Sequence, residues 1–187
     1  MRAGIAFVIY DGMTALDFVG AYDPLTRLRT MGFMPDLSWQ ICALTEEVTD
    51  QSGLRFVPTQ VQEPLGEYDL VLIPGGFGSR DLIDDAAFIE WLRSAAPCRL
   101  KASVCTGSLL LGAAGFLRGK KATTHPRAFD ELRLFCSSVV HRRIVDEGDV
   151  ITAGGVTASI DLGLYLCGRL TSRETEERIR KQIDYRG

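Results

Sequence analysis

Apolar and polar residues follow one another along the chain in blocks that alternate between strand-like and helix-like spacing. Short apolar runs rich in β-branched residues predict buried strands at residues 3–10, 37–44, 68–73 and 100–104. Helices are predicted at residues 85–95, 106–114, 128–134 and 158–170. A polar helix is predicted at 172–183, where Ser172 is the cap and Glu-to-Arg pairs stand at helical spacing. Because strands alternate with helices, the pattern predicts an α/β fold with a mostly parallel central sheet.

Turn residues divide this pattern into smaller elements. Residues 16–21 predict a short helical turn, and Asp23 and Pro24 have the residue types of an N-cap and a first helical position. They predict a separate helix that runs to residue 31 and is ended by Gly32. Short strands are also predicted, namely a hairpin of 48–49 with 54–57, and strands at 120–124, 144–146 and 150–152. No shift in composition marks a boundary, so residues 1–187 are expected to form a single domain.

Charge and composition narrow the classes of partner and compartment. The formal net charge of −3 gives no electrostatic reason to expect nucleic acid or an anionic membrane as partner. No apolar run reaches membrane-spanning length, and Met1 and Arg2 lead into the first strand without a signal-peptide pattern. Five cysteines without framework spacing favour a reducing cytoplasm. With only His125 and His141 available, a zinc site is not expected.

Cys105 has the setting of a catalytic nucleophile. It follows a predicted buried strand and precedes a helix of small and aliphatic residues, and Gly107 allows tight packing at the turn between them. This order is that of a nucleophile elbow, with cysteine in place of serine. Free N–H groups and the positive end of the helix dipole favour the thiolate, which is the nucleophilic form. The alternative is a small buried hydrophobe, the usual role of cysteine in an apolar run.

Two further groups lie near strand ends, where ligands bind in parallel α/β sheets. Gly75 and Gly76 directly follow the strand at 68–73, and they predict an oxyanion hole shared with the Thr106 N–H. The alternative is a plain turn. Asp17 stands among apolar residues and is either a helix cap or a carboxyl that faces a pocket. If it meets Cys105, burial would raise its pKa and let it exchange protons with a substrate.

Other polar groups allow two interpretations each. His125 could act as a base for Cys105, but a loop histidine that is hydrogen-bonded to the backbone explains it as well. The glycine turn at 152–157 could bind an anion at the start of the next helix, or form a tight strand-to-helix connection. Asp161 lies in an apolar helix and needs a structural partner. The other cysteines are explained as core or surface thiols, namely Cys42, Cys98, Cys136 and Cys167.

Four segments, in their order and spacing, resemble the ThiJ/PfpI superfamily over nearly the whole chain. They are AFVIYDGMTALDFVGAYD, DLVLIPGGFG, SVCTGSLLLGAAGFLRGKKATTH and ITAGGVTASIDLGLYL. Within that superfamily the chain looks most like the isocyanide hydratase branch and the amidase-like domains of AraC-type regulators, which share the Cys-Thr-Gly elbow and the Ala-Thr-Thr-His run. The resemblance implies a flavodoxin-like three-layer sandwich, a homodimer and a reactive cysteine at the elbow.

The resemblance also implies roles for individual residues. Cys105 matches the nucleophile and Asp17 the acidic partner, while Gly76 and Thr106 match the positions that face the elbow and would orient substrate or water. The implied function is a hydratase that adds water to an isocyanide, a small-molecule substrate, without metal or organic cofactor. Two alternatives stay open. One is a ligand- or redox-sensing module that uses an oxidisable Cys105, and the other is a cysteine amidase or protease that uses His125.

Overall fold

A seven-stranded sheet forms the centre of the protein in a computed structural model that describes residues 4–187. The strands are, in chain order, β1 (Gly4–Val8), β2 (Ser38–Ala43), β3 (Val48–Thr49), β4 (Arg55–Phe56), β5 (Gln60–Val61), β6 (Leu70–Ile73), β7 (Leu100–Val104), β8 (Lys121–Ala122), β9 (Ser138–Val139), β10 (Ile144–Asp146) and β11 (Val150–Ala153). The order across the sheet is β10-β11-β7-β6-β1-β2-β5. Every neighbouring pair is parallel except β10 with β11, which confirms the prediction of a mostly parallel sheet.

Helices flank this sheet and complete the three layers of a flavodoxin-like sandwich. They are α1 (Ala15–Thr30), α2 (Ser79–Leu82), α3 (Ala86–Arg93), α4 (Gly107–Ala113), α5 (Phe129–Leu132), α6 (Ala158–Leu170) and α7 (Arg173–Gln182). One group consists of α1, α6 and α7, and the other is centred on α4, which contacts α2, α3 and α5. Within the described residues, no helix has the length and apolar character needed to cross a bilayer.

The largest departure from the predicted pattern is the first helix. A single continuous helix, α1, replaces the predicted turn at 16–21 and the separate helix after it, so Asp23 is not an N-cap. Pro24 lies inside α1 and is buried, although proline removes a helical hydrogen bond and crowds the preceding turn. Close packing on α6 explains the exception, because a Cβ added at Gly163 would lie 3.1 Å from Pro24 Cγ. Tertiary packing has overridden a local helix-start signal.

Most other differences concern elements of two to four residues. The sequence pattern missed β5, α2 and β9, and the predicted helix at 128–134 is a 3₁₀ turn (Pro126–Ala128) followed by α5. Such short elements contain too few residues for a hydrophobic period to show. The predicted hairpin of β3 with β4 and the predicted strands at 144–146 and 150–152 are confirmed, and α6 has the predicted bounds. The predicted start of the first strand, Ala3, lies outside the described residues.

The parallel strands bring four loops to one edge of the sheet. In the register of the sheet, Ser103 of β7 lies opposite Ile73 of β6 on one side and Thr152 of β11 on the other. The carboxyl ends of these strands are therefore level, and β1 ends at the same edge because it is parallel to β6. Cys105 follows β7 and stands between the loops that follow β6 and β11, at the edge where ligands bind in such sheets.

Candidate active site

Cys105 occupies the sharp strand-to-helix turn that the sequence predicts. Its φ angle is +53°, in the left-handed region that non-glycine residues rarely adopt. Hydrogen bonds hold it there: its N–H donates to the Ala153 and Gly154 carbonyls at 3.1 and 2.8 Å, and its carbonyl accepts from Thr124 Oγ1 at 2.8 Å. Such strain costs about 1–3 kcal/mol and persists where the surroundings enforce it, as they do at functional sites.

Glycines allow the loop after β6 to touch this turn. A Cβ added at Gly75 would lie 2.8 Å from Cys105 Cβ and 2.5 Å from Thr106 N. A Cβ added at Gly107 would lie 2.5 Å from the Ile73 carbonyl oxygen. Any larger residue at either position would therefore push the two loops apart and move Cys105 away from its neighbours.

Asp17 is a buried carboxyl at the site and not a helix cap. It lies in the first turn of α1, its side chain has no solvent exposure, and its Oδ2 accepts the Gly75 N–H at 2.9 Å. The interaction with the Cys105 thiol lowers the pKa of the Asp17 carboxyl. The thiol does not, however, complete a hydrogen bond to Asp17 Oδ1. Oδ1 is therefore buried without a hydrogen-bond partner, and such an unsatisfied group in a native fold calls for a functional explanation.

Burial moves the pKa values of both side chains upwards. It raises the pKa of Asp17 from 3.8 to about 7, in spite of the opposing hydrogen bond from Gly75 N–H and the interaction with Cys105. Burial, and next the charge of Asp17, raise the pKa of Cys105 from 9.0 to about 12. The N–H groups of Thr106 and Val156 lower the pKa of the thiol, as the sequence predicts, but desolvation outweighs them and the net shift is upwards. At neutral pH the pair consists of a thiol and a carboxyl that holds or releases its proton.

The raised pKa of Asp17 predicts that stability depends on pH. Between pH 3.8 and about 7 the folded protein holds a proton on Asp17 that the unfolded chain has lost. Protons bound only by the folded state make the free energy of unfolding fall with rising pH, by about 3 kcal/mol between about pH 5 and about pH 8. Asp17→Asn cannot titrate and is expected to lack this fall. Urea unfolding of both proteins at both pH values tests this, and an equal fall in the two would contradict it.

The backbone donors near the sulfur differ from those that the sequence predicts. Gly75 N–H is taken by Asp17, and Gly76 N–H donates to Thr106 Oγ1 at 2.9 Å, so an oxyanion role for Gly76 N–H would require this bond to break. The N–H groups that interact with the Cys105 sulfur belong to Thr106 and Val156. Val156 was not predicted as a site residue, because every residue type except proline has a backbone N–H donor. The available signal was the turn at 152–157, which follows a strand parallel to β7.

A cavity of about 190 Å³ opens over this turn. Its lining residues are Thr14, Gln51, Gly76, Phe77, Arg80, Cys105, Thr106, His125, Arg127 and Val156. The structure thus brings the predicted residues Cys105, Thr106 and Gly76 to one cavity, and Asp17 reaches it through its interaction with the thiol. An engineered apolar cavity of about 150 Å³ holds benzene, so this one has room for a compact small molecule.

His125 lines the same cavity but is not paired with Cys105. Its Nδ1 accepts the Arg127 backbone N–H at 3.2 Å, and within residues 4–187 no hydrogen bond joins it to Cys105. This is the backbone-bonded loop histidine that the sequence allowed as one of two interpretations. The described part of the chain also contains no cluster of three or more His, Cys, Asp or Glu side chains that could hold a metal ion.

Asp161 and the remaining cysteines have structural surroundings. Asp161 accepts a hydrogen bond from Tyr185 Oη at 3.0 Å and forms an ion pair with Arg143 at 2.6 Å, so the predicted structural partner is present. All five cysteines are free thiols, and three of those outside the site are buried, while Cys136 is half-buried. Cys105 is the cysteine that lines the cavity over the turn.

Comparison with known proteins assigns the chain to a family. The sequence model of the DJ-1/PfpI family matches residues 3–168. The chain belongs to the DJ-1/PfpI family. It is similar to the isonitrile hydratase of Pseudomonas putida, with 37% identity over 186 residues that cover 99% of this chain and 79% of that protein. It is also similar to an HTH-type transcriptional regulator of Pseudomonas aeruginosa, with 29% identity over 182 residues, but it spans only 53% of that protein.

Solved structures agree with this family assignment. A ThiJ/PfpI family protein from Pseudomonas syringae superposes with a TM-score of 0.91 at 31% identity, over all of this chain and 76% of that one. DJ-1beta of Drosophila melanogaster superposes with a TM-score of 0.85 over the full length of both chains. Its identity is 22%, so this second likeness concerns the fold alone.

Proposed function

We propose that this DJ-1/PfpI family member is a cysteine-dependent hydratase that adds water to an isocyanide and releases an N-formamide. The observation that carries the proposal is the buried pair of Asp17 and Cys105, in which a carboxyl with a pKa of about 7 meets a strained thiol that lines a cavity. A group whose pKa lies near neutrality is suited to both accept and donate a proton. The similarity to the isonitrile hydratase supports the substrate class.

The first step forms a thioimidate on Cys105. The sulfur attacks the terminal isocyanide carbon, its proton passes to ionised Asp17, and Asp17 delivers that proton to the same carbon, which gives R–N=CH–S–Cys105. Because the pKa of the thiol is raised to about 12, attack needs this transfer and cannot rely on a standing thiolate. The N–H groups of Thr106 and Val156 stabilise negative charge on the sulfur as it develops.

The second step hydrolyses this intermediate. Water adds to the thioimidate carbon while Asp17 accepts one of its protons, and the nitrogen is protonated. The C–S bond then breaks, the carbonyl forms, and the sulfur regains a proton, which releases R–NH–CHO and free Cys105. Splitting one difficult addition into two easier steps is the usual advantage of covalent catalysis. Thr106 and Gly76, which line the cavity, orient the substrate and the water in this proposal.

The site gives less support to the alternative functions. A peroxide sensor needs a high thiolate fraction, which the raised pKa of Cys105 opposes. An amidase or protease would need a base on Cys105, and His125 is engaged with the Arg127 backbone instead. The function is tested by following the loss of alkyl and aryl isocyanides and the appearance of the N-formamides. Absence of turnover across several isocyanides, together with ready oxidation of Cys105 by peroxide, would replace this proposal with the sensor.

We also propose that the protein acts as a homodimer. Leu16 and Val19 are each 43% exposed, and because they are three residues apart on α1 they lie on one helix face. Sedimentation velocity at micromolar concentration is expected to show a dimer, and Val19→Glu to shift it towards monomer because a charge is costly to bury. Leu54→Glu, at a side chain 55% exposed near the β3–β4 hairpin, serves as the control. A purely monomeric wild type would contradict the dimer.

The compartment we propose is the reducing cytoplasm, and the partner a small molecule. All five cysteines are free thiols, whereas small secreted proteins usually pair theirs. The net charge of −3 gives no reason to add nucleic acid or an anionic membrane to the proposal.

A further inference from the structure

The cavity lined by Cys105 is cationic although the chain as a whole is acidic. Two arginines, Arg80 and Arg127, line it together with His125, and within the described residues no aspartate or glutamate does. The full sequence, in contrast, has 24 acidic residues against 21 lysines and arginines. A concave site whose charge is opposite to that of the surrounding protein attracts ligands of one sign, here anions.

The two arginines differ in whether their charge is already neutralised. Arg80 forms an ion pair with Glu131 at 2.8 Å. The Arg127 guanidinium makes no ion pair, hydrogen bond or ring contact with any described residue, while its backbone N–H is held by His125 Nδ1 at 3.2 Å. Among the lining residues Arg127 is therefore a positive charge without an ion-pair partner, and the negative group that reaches the cavity is Asp17, through its interaction with the Cys105 thiol.

Arg127 is available to a bound molecule. The largest effects on the pKa of the Cys105 thiol come from burial and the charge of Asp17, followed by the N–H group and side chain of Thr106 and the N–H group of Val156. A guanidinium that lines the cavity without an ion-pair partner can donate its hydrogen bonds to a ligand. Its planar fork of donors matches a carboxylate, which it can bind through two parallel hydrogen bonds.

We propose that the substrate is a small isocyanide that carries a carboxylate, which is bound by Arg127 while the isocyanide carbon meets Cys105. This inference rests on the proposed hydratase function. The volume of about 190 Å³ limits the remainder of the substrate to a compact group, of the size of a short aliphatic chain or a single ring. Arg80 contributes less to carboxylate binding, because Glu131 already neutralises it.

Alkylation of Cys105 tests the charge preference without any turnover. Iodoacetate and iodoacetamide have nearly the same size and differ in charge. The rate of alkylation of Cys105 by each reagent is measured by peptide mapping. The rate with iodoacetate divided by the rate with iodoacetamide reports the electrostatic potential in the cavity. Wild type is expected to give a ratio about two- to fivefold above that of 2-mercaptoethanol. Arg127→Gln is expected to return the ratio to the reference value. Added salt is expected to lower the wild-type ratio.

Arg99 provides the matched control. It is exposed and makes no ion pair within residues 4–187, but it directly precedes β7, about 20 Å along the strand from Cys105. Arg99→Gln removes the same charge from the protein and is expected to leave the ratio unchanged. A wild-type ratio no higher than that of 2-mercaptoethanol would overturn the proposal, as would an equal effect of Arg99→Gln and Arg127→Gln.

Turnover then separates this inference from the hydratase function. Isocyanoacetate is expected to have a higher kcat/KM than its neutral ethyl ester, and Arg127→Gln to remove that preference by raising KM for isocyanoacetate alone, about two- to fivefold. Turnover of both compounds with equal kcat/KM would support the hydratase function and refute the proposal that the substrate carries a carboxylate. Turnover of neither would refute the hydratase, while the alkylation ratio still decides the charge preference.

Discussion

Replacing Cys105 with serine is expected to abolish the hydration of isocyanides, lowering kcat by at least about 10⁴-fold, with the fold retained. Serine has nearly the same shape and keeps the hydrogen bonds of the Cys105 backbone to Ala153, Gly154 and Thr124. Its hydroxyl is a much weaker nucleophile than the thiol. The measurements are the rate of N-formamide formation and mass spectrometry of the protein during turnover, which should show the thioimidate adduct in the wild type only.

A second thiol provides the control for this experiment. Cys136 is half-buried and its Sγ donates to the Leu132 carbonyl at 3.4 Å, a contact that a serine hydroxyl can keep. Cys136→Ser is therefore expected to retain wild-type turnover. If Cys105→Ser kept more than about 1% of the wild-type kcat, or if Cys136→Ser lost activity to the same degree, a covalent intermediate on Cys105 would be refuted.

The elbow at Cys105 could be predicted because its signals are local. A buried strand, a cysteine and a glycine-containing helix start are contiguous in sequence, and parallel strands necessarily bring their carboxyl ends to one edge of the sheet. The protonation state of the Cys105 thiol could not be predicted in the same way. The pKa of its thiol depends on burial by residues far away in sequence, and this desolvation reversed the expected direction of the shift.

Asp17 shows a similar limit of sequence reasoning. Its sequence surroundings allowed either a cap or a pocket-facing carboxyl, and the decision comes from Gly75, a residue 58 positions away that donates its N–H to Oδ2. The same holds for α1, where local signals at Asp23 and Pro24 indicated a helix start, but packing against α6 gave one continuous helix. Val156 joined the site through a backbone N–H, which any residue type except proline could have supplied.

The two oxygens of Asp17 have different roles in the proposed mechanism. Oδ2 is fixed by Gly75 N–H, which sets the plane of the carboxyl, whereas Oδ1 is buried and has no hydrogen-bond partner. A carboxyl held in this way can carry its proton on Oδ1, because Oδ2 already accepts the Gly75 N–H. Because Asp17 must be ionised to accept the thiol proton, only the form above its pKa of about 7 is competent for attack.

Asp17→Asn is therefore expected to lower kcat by about 10²- to 10⁴-fold and to remove the pH dependence of kcat/KM. In the wild type kcat/KM is expected to rise through about pH 7 as the carboxyl loses its proton, and asparagine cannot titrate. Steady-state kinetics across this pH range measure both effects. Asp23→Asn, on the same helix at a side chain 48% exposed, is the control and should retain the rise. If kcat/KM of Asp17→Asn still rose through about pH 7, Asp17 would be excluded as the proton carrier. If His125→Ala lost as much kcat as Cys105→Ser, a Cys–His mechanism would be established instead.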